Sequence, residues 1–145
     1  MKKKLKIIIP LALLILGGGY KMVLAKPAEV ESKVHGEVYV LPKEFLINLA
    51  DGQFAKLSVG LILEHGALEA AAGGGHGAKP PEGYGPLPQE GLVRDIVTDV
   101  LTSSDGDALI ENKGRTRLKK KILQSIHKKT DVHAEQVLFT DVAVQ

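Results

Sequence analysis

The chain has 145 residues, 44% apolar and 25% charged, with no Cys, no Trp and a formal net charge of +2. That length holds one compact domain plus a tail or anchor, and the missing Cys excludes disulfides, thiolate metal sites and a Cys nucleophile. The +2 is split: residues 1–25 carry five Lys and no acid, whereas residues 26–145 carry 14 bases and 17 acids, net −3. A basic, apolar head on a mildly acidic body argues against a nucleic-acid binder and points to a membrane.

Ile7 to Tyr20 is uncharged, and Met22 to Ala25 resumes the apolar run after Lys21. If Lys21 snorkels to the headgroups, Ile7 to Ala25 makes a helix of roughly 28 Å at about 1.5 Å per residue, enough to cross a hydrocarbon core. The same head, with small residues Val23 and Ala25 before a cut at Lys26, also fits a cleavable export signal. Both readings keep the Lys cluster cytoplasmic and export everything after Ala25. Residues 26–36 are polar and aperiodic, a spacer.

Val38, Val40, Phe45, Ile47 and Leu49 alternate with polar or smaller residues, interrupted at Pro42, and Asp51-Gly52 is a strong hairpin signal. Leu57, Val59, Leu61 and Leu63 then hold a period of two, which predicts one β-hairpin with one buried face. Residues 65–88 are rich in Ala, Gly and Pro and read as an insertion, its second half pinned to the domain by Tyr84. Leu92, Val93, Ile96, Val97, Val100 and Leu101 form one helical stripe after Pro88-Gln89-Glu90, with a break at Ser103 to Gly106. A short helix around Ala108 to Glu111 follows, then a longer one over residues 113–130 with Leu118, Ile122, Leu123 and Ile126 as its apolar stripe. Eight bases and no acid lie between Lys113 and Lys129. Val137 to Val144 reads as a strand apolar on both faces, and therefore central in its sheet.

Few constellations carry chemistry. His35, His65, His76, His127 and His133 have no metal-ligand spacing. Asp95 and Asp99 lie one turn apart beside Arg94, as on an ordinary solvated face. Asp141, inside the last apolar run, needs a partner or a sheet-edge position. No phosphate-binding glycine motif is present. The basic helix suits a solvated face, an acidic protein partner or anionic lipid. These residues amount to an exported α+β domain with no assigned catalytic, cofactor or metal site.

Val38 to Gly52 (VYVLPKEFLINLADG), Pro81 to Gly85 (PEGYG) and Leu92 to Leu101 (LVRDIVTDVL) resemble the bacterial flagellar basal body-associated FliL family. So do Lys113 to Arg115 with Leu118 to Leu123, and the closing Val137 to Gln145 (VLFTDVAVQ). The resemblance implies a non-enzymatic, cofactor-free, single-pass inner-membrane protein. Its N-terminus would be cytoplasmic and its C-terminal domain periplasmic, resembling a stomatin/prohibitin (SPFH) domain. It also implies association with basal-body components and with the MotA/MotB stator, support of motility and chemotaxis, and assembly into rings; the exported topology and the −3 body argue against a nucleic-acid partner. On that reading residues 1–25 are a retained anchor, 26–36 the spacer and 37–145 the periplasmic domain. Exposure and charge alone nominate Arg94, Asp95, Asp99, Arg115 and Arg117 as the assembly or partner surface. Two alternatives stay open: a secreted or tethered binding module unrelated to flagella, and a small hydrolase using Asp141 with a His.

Overall fold

A computed structural model describes residues 33–68 and 81–145. The apolar head and the Ala/Gly-rich half of the insertion lie outside the described residues. Among the described residues no helix is long and apolar enough to cross a membrane.

Four strands form one antiparallel sheet around β3 (Phe54–Leu63). One side of β3 is covered in two pieces, by β1 (Glu37–Val40) and β2 (Phe45–Asn48); the other side pairs with β4 (Ala134–Val144). Pro42, which has no N–H to give to a ladder, falls in the break between β1 and β2. The predicted hairpin turn forms at Leu49 to Gln53, where Gly52 takes a left-handed φ of 84°. There Leu49 N–H donates to Gln53 O at 2.8 Å, and Asp51 Oδ1 accepts from Gln53 N–H at 3.0 Å.

Helices α1 (Glu90–Thr102), α2 (Gly106–Ile110) and α3 (Asn112–Lys129) supply the rest of the core. Val93, Ile96, Val97, Val100 and Leu101 of α1 and Leu118, Ile122 and Ile126 of α3 bury against Ala55, Leu57, Val59, Leu61 and Leu63. At about 1.5–3 kcal/mol for each fully buried large aliphatic side chain, this stripe-on-stripe contact is the main driving force of the fold. Only Glu111, in extended conformation, separates α3 from α2, and the two helices pack closely. A methyl group on Gly114 would stand 2.7 Å from Ala108 Cα, so only Gly fits there.

Three expectations need correction. Val38 and Val40 do not face the core: they are 61% and 51% exposed, while Tyr39 and Leu41 turn inward. The buried face keeps one phase across Pro42, with Tyr39 and Leu41 before it and Phe45, Ile47 and Leu49 after it, so the apolar Val38 and Val40 sit on the opposite, outer face. Second, β4 is not central; among the described residues it pairs only with β3. Asp141 has a φ of 52° at a bulge where the register shifts between Lys56 and Ser58. The extra residue moves the inward positions from Val137 and Phe139 to Val142 and Val144. One apolar face read through a phase shift resembles two. The strand buried throughout its second half is β3, from Val59 to Leu63. Third, Tyr84 is 41% exposed; Leu87, buried, and Gly85 hold the end of the insertion instead.

Candidate functional site

Glu90, at the start of α1, is the buried charged residue among those described, 3% exposed. Its Oε2 accepts from the Tyr39 hydroxyl at 2.6 Å and from Gly85 N–H at 2.7 Å; Oε1 is buried with no partner among the described residues. Gln89 just before it adopts φ 54°, and its side-chain amide closes a two-bond exchange with Asp131, at 2.8 and 3.0 Å. Strand β1, the end of the insertion, the start of α1 and the α3–β4 connection thus meet through side chains. Burial, then the bond to Glu90, raise the Tyr39 hydroxyl far above the ordinary phenol range. The hydroxyl therefore acts as a fixed donor rather than an acid. In the sequence Glu90 is visible only as part of the helix start; its partners lie 51 and 5 residues away.

At the opposite end, Asp51 ties the hairpin turn to the helices. Its Oδ2 accepts from Gly106 N–H at 2.7 Å, and Ala50 N–H reaches Ser104 O at 3.0 Å. The Gly106 bond, then the Gln53 bond, lower the Asp51 pKa. Gly106 is buried, with a Cβ there meeting Gln53 and Val144.

The five nominated surface residues separate into two kinds. Asp95, Asp99 and Arg117 are exposed and carry no hydrogen bond or ion pair from their charged groups among the described residues. Arg94 instead stacks on the Phe45 ring, 4.5 Å from its centroid, and donates to Lys43 O at 3.1 Å, so it ties α1 to β2. Arg115 donates to Leu109 O at 2.9 Å and to Ile110 O, capping the last carbonyls of α2. None of the five contacts another by hydrogen bond or salt bridge.

Asp141 is exposed at the β4 bulge and lines none of the cavities described here, which fits the sheet-edge reading. A cavity of about 640 Å³ is lined by Glu64, His127, Asp131, His133 and Glu135. Within it His127 Nε2 bonds the Ala134 carbonyl at 2.6 Å, and among the described residues no carboxylate hydrogen-bonds either imidazole. Among the described residues no three His or acidic groups are placed to hold a metal ion. Two surfaces stand out as faces for other molecules: the outer sheet face with Val38, Val40 and Leu46 exposed, and the basic side of α3.

Compared with known families, residues 38–145 match the model described as flagellar basal body-associated protein FliL. A comparison with curated proteins gives no match.

Proposed function

The chain belongs to the FliL family of flagellar basal body-associated proteins, and on that premise we propose that it is a non-enzymatic, membrane-anchored scaffold of the flagellar motor. The family match over residues 38–145 carries this reading. The Lys-rich, apolar head supports the anchor: it supplies the positive flank and the apolar length that a single inner-membrane span with a cytoplasmic N-terminus requires. Residues 26–36 then act as the spacer and 37–145 as the periplasmic domain, with an SPFH-like architecture.

In this reading the domain associates with MotA/MotB stator units and with other basal-body components. It assembles with further copies into a ring and supports rotation, swimming or swarming and chemotaxis. An anchor confines the domain to two dimensions and raises its effective concentration for such contacts. The contact surface includes Asp95, Asp99 and Arg117, whose charges are free of partners among the described residues. Arg94 and Arg115 contribute by holding α1 and α2 in place. The test is a chromosomal deletion complemented in trans, with a fluorescent fusion followed in cells. Polar or basal-body foci and reduced swarming restored by the wild-type chain are expected. A fusion that stays diffuse, with motility unchanged by the deletion, overturns the reading.

A further inference from the structure

Among the described residues, no strand covers the edge of β4 away from β3. Leu41 N–H takes the Val59 carbonyl at 2.9 Å, so odd-numbered residues in this stretch of β3 bond toward β1 and even-numbered ones toward β4. In β4, Leu138 and Gln136 therefore satisfy β3, and the N–H and C=O groups of Val137 and Phe139 point outward. No bond to those groups exists among the described residues, and no strand lies beyond them. Native edges are usually blunted by being short or bulged. Here the register shifts at Asp141 and again between Ala134 and Gln136, leaving residues 136–140 regular.

A groove of about 240 Å³ runs beside this edge, between β4 and α3. Leu123, Val137 and Leu138 form its apolar part; Lys119 and Lys120 line its rim, Lys119 Nζ lying 5.6 Å from the centre of the Phe139 ring. Helix α3 has eight bases and no acid, and none of those bases makes a salt bridge among the described residues. That is an uncompensated positive rim on a body of net charge −3.

From the edge and the rim together we infer that β4 is a docking strand for an extended acidic segment of a partner protein, which adds to the sheet along Val137 to Phe139. Main-chain bonds to the edge supply affinity. Alternate side chains supply specificity: carboxylates on the α3 face meet Lys119 and Lys120, and apolar ones on the outer face lie beside Leu138. A second copy pairing through the same edge would set the two Lys119–Lys120 rims against each other, which like-charge repulsion disfavours. This inference rests on the edge geometry and stands whether or not the partner belongs to the flagellar motor.

The experiment uses the full chain, isotope-labelled, in mild detergent, titrated with an eight-residue peptide alternating Val and Glu. The expected result is saturable shifts and slowed exchange at the amides of Val137 and Phe139. N-methylation of alternate peptide amides, replacement of its Glu by Lys, and the Lys119→Glu/Lys120→Glu variant should each weaken binding at least about tenfold. Equal binding by the N-methylated peptide overturns the strand addition and leaves a charge contact. Equal binding by the charge-reversed variant, or no binding at millimolar peptide, overturns the inference outright. So does prior protection of those amides through self-association of the free chain. If the double variant fails to fold, the N-methylated and Lys peptides on the unaltered chain decide the matter.

Discussion

Removing one oxygen atom, by Tyr39→Phe, tests the buried junction at the start of α1. The Tyr39 hydroxyl donates to Glu90 Oε2 at 2.6 Å inside the domain, and Gly85 N–H is the second donor to the same oxygen. Since Oε1 has no partner among the described residues, the substitution leaves a buried carboxylate with a single donor. A hydrogen bond to a charged group contributes about 1.5–3 kcal/mol, and the loss falls at the upper end when the remaining partner stays buried. The expected destabilisation is about 2–3 kcal/mol, or roughly 8–12 °C in Tm for a domain of this size. Denaturant unfolding of the full chain in mild detergent, followed by circular dichroism, measures it. The cycle with Glu90→Gln should give a coupling of at least about 1 kcal/mol, because the two side chains share one bond. A loss under about 0.5 kcal/mol for Tyr39→Phe, or additive single variants, would refute the junction.

The same geometry makes an alkaline prediction. A hydroxyl whose pKa is raised on folding stabilises the folded state fully below the ordinary phenol pKa, and that stabilisation is lost as pH rises above about 10. Ultraviolet titration should show one of the three tyrosines ionising only on unfolding, an effect absent from Tyr39→Phe. Asp51 has the opposite sign: its lowered pKa gives stability that is present above the usual carboxylate range and lost as pH falls below about 4. Asp51→Asn should therefore flatten the acid limb of the stability profile, and an unchanged limb would contradict the bond to Gly106. Gly114→Ala should destabilise by about 1–3 kcal/mol in thermal melts, although Ala favours an exposed helix, because the added methyl meets Ala108. Arg94→Ala should cost about 1 kcal/mol through its stacking on Phe45, whereas Asp95→Lys and Asp99→Lys should stay within about 0.5 kcal/mol. Crosslinking yields that fall for the two Asp variants but not for Arg94→Ala would separate contact residues from positioning ones.

Local signals in the sequence carried much of the fold. The hairpin was legible because Asp51-Gly52 supplies the left-handed turn and Leu57 to Leu63 keep strict alternation over a long strand. Helix α1 was legible because its stripe spans three turns and ends at a break, and α3 because Leu118, Ile122 and Ile126 repeat at helical spacing. What failed was phase. In β1 the inward residue is Tyr39 rather than Val38 or Val40, because its ring reaches Glu90 across 51 residues of chain. In β4 the bulge at Asp141 turned one apolar face into an apparent pair, and the strand was read as central. A bulge on a non-glycine residue leaves little trace in composition, so the phase shift had no local marker. Among the surface candidates, sequence located Asp95, Asp99 and Arg117 on exposed helix faces. It gave no means to see that Arg94 and Arg115 spend their donors on Lys43, Leu109 and Ile110 carbonyls. The open edge of β4 was likewise hidden, because pairing on one side only is a property of the sheet and not of the strand.

The most direct measurement for the scaffold account is purification of the full chain from membranes after mild crosslinking, with mass identification of its N-terminus and of every bound protein. The account predicts a chain that still begins at Met1, carrying MotA/MotB and higher oligomers of itself. Recovery as a soluble monomer that begins at Lys26, without stator proteins, would contradict it.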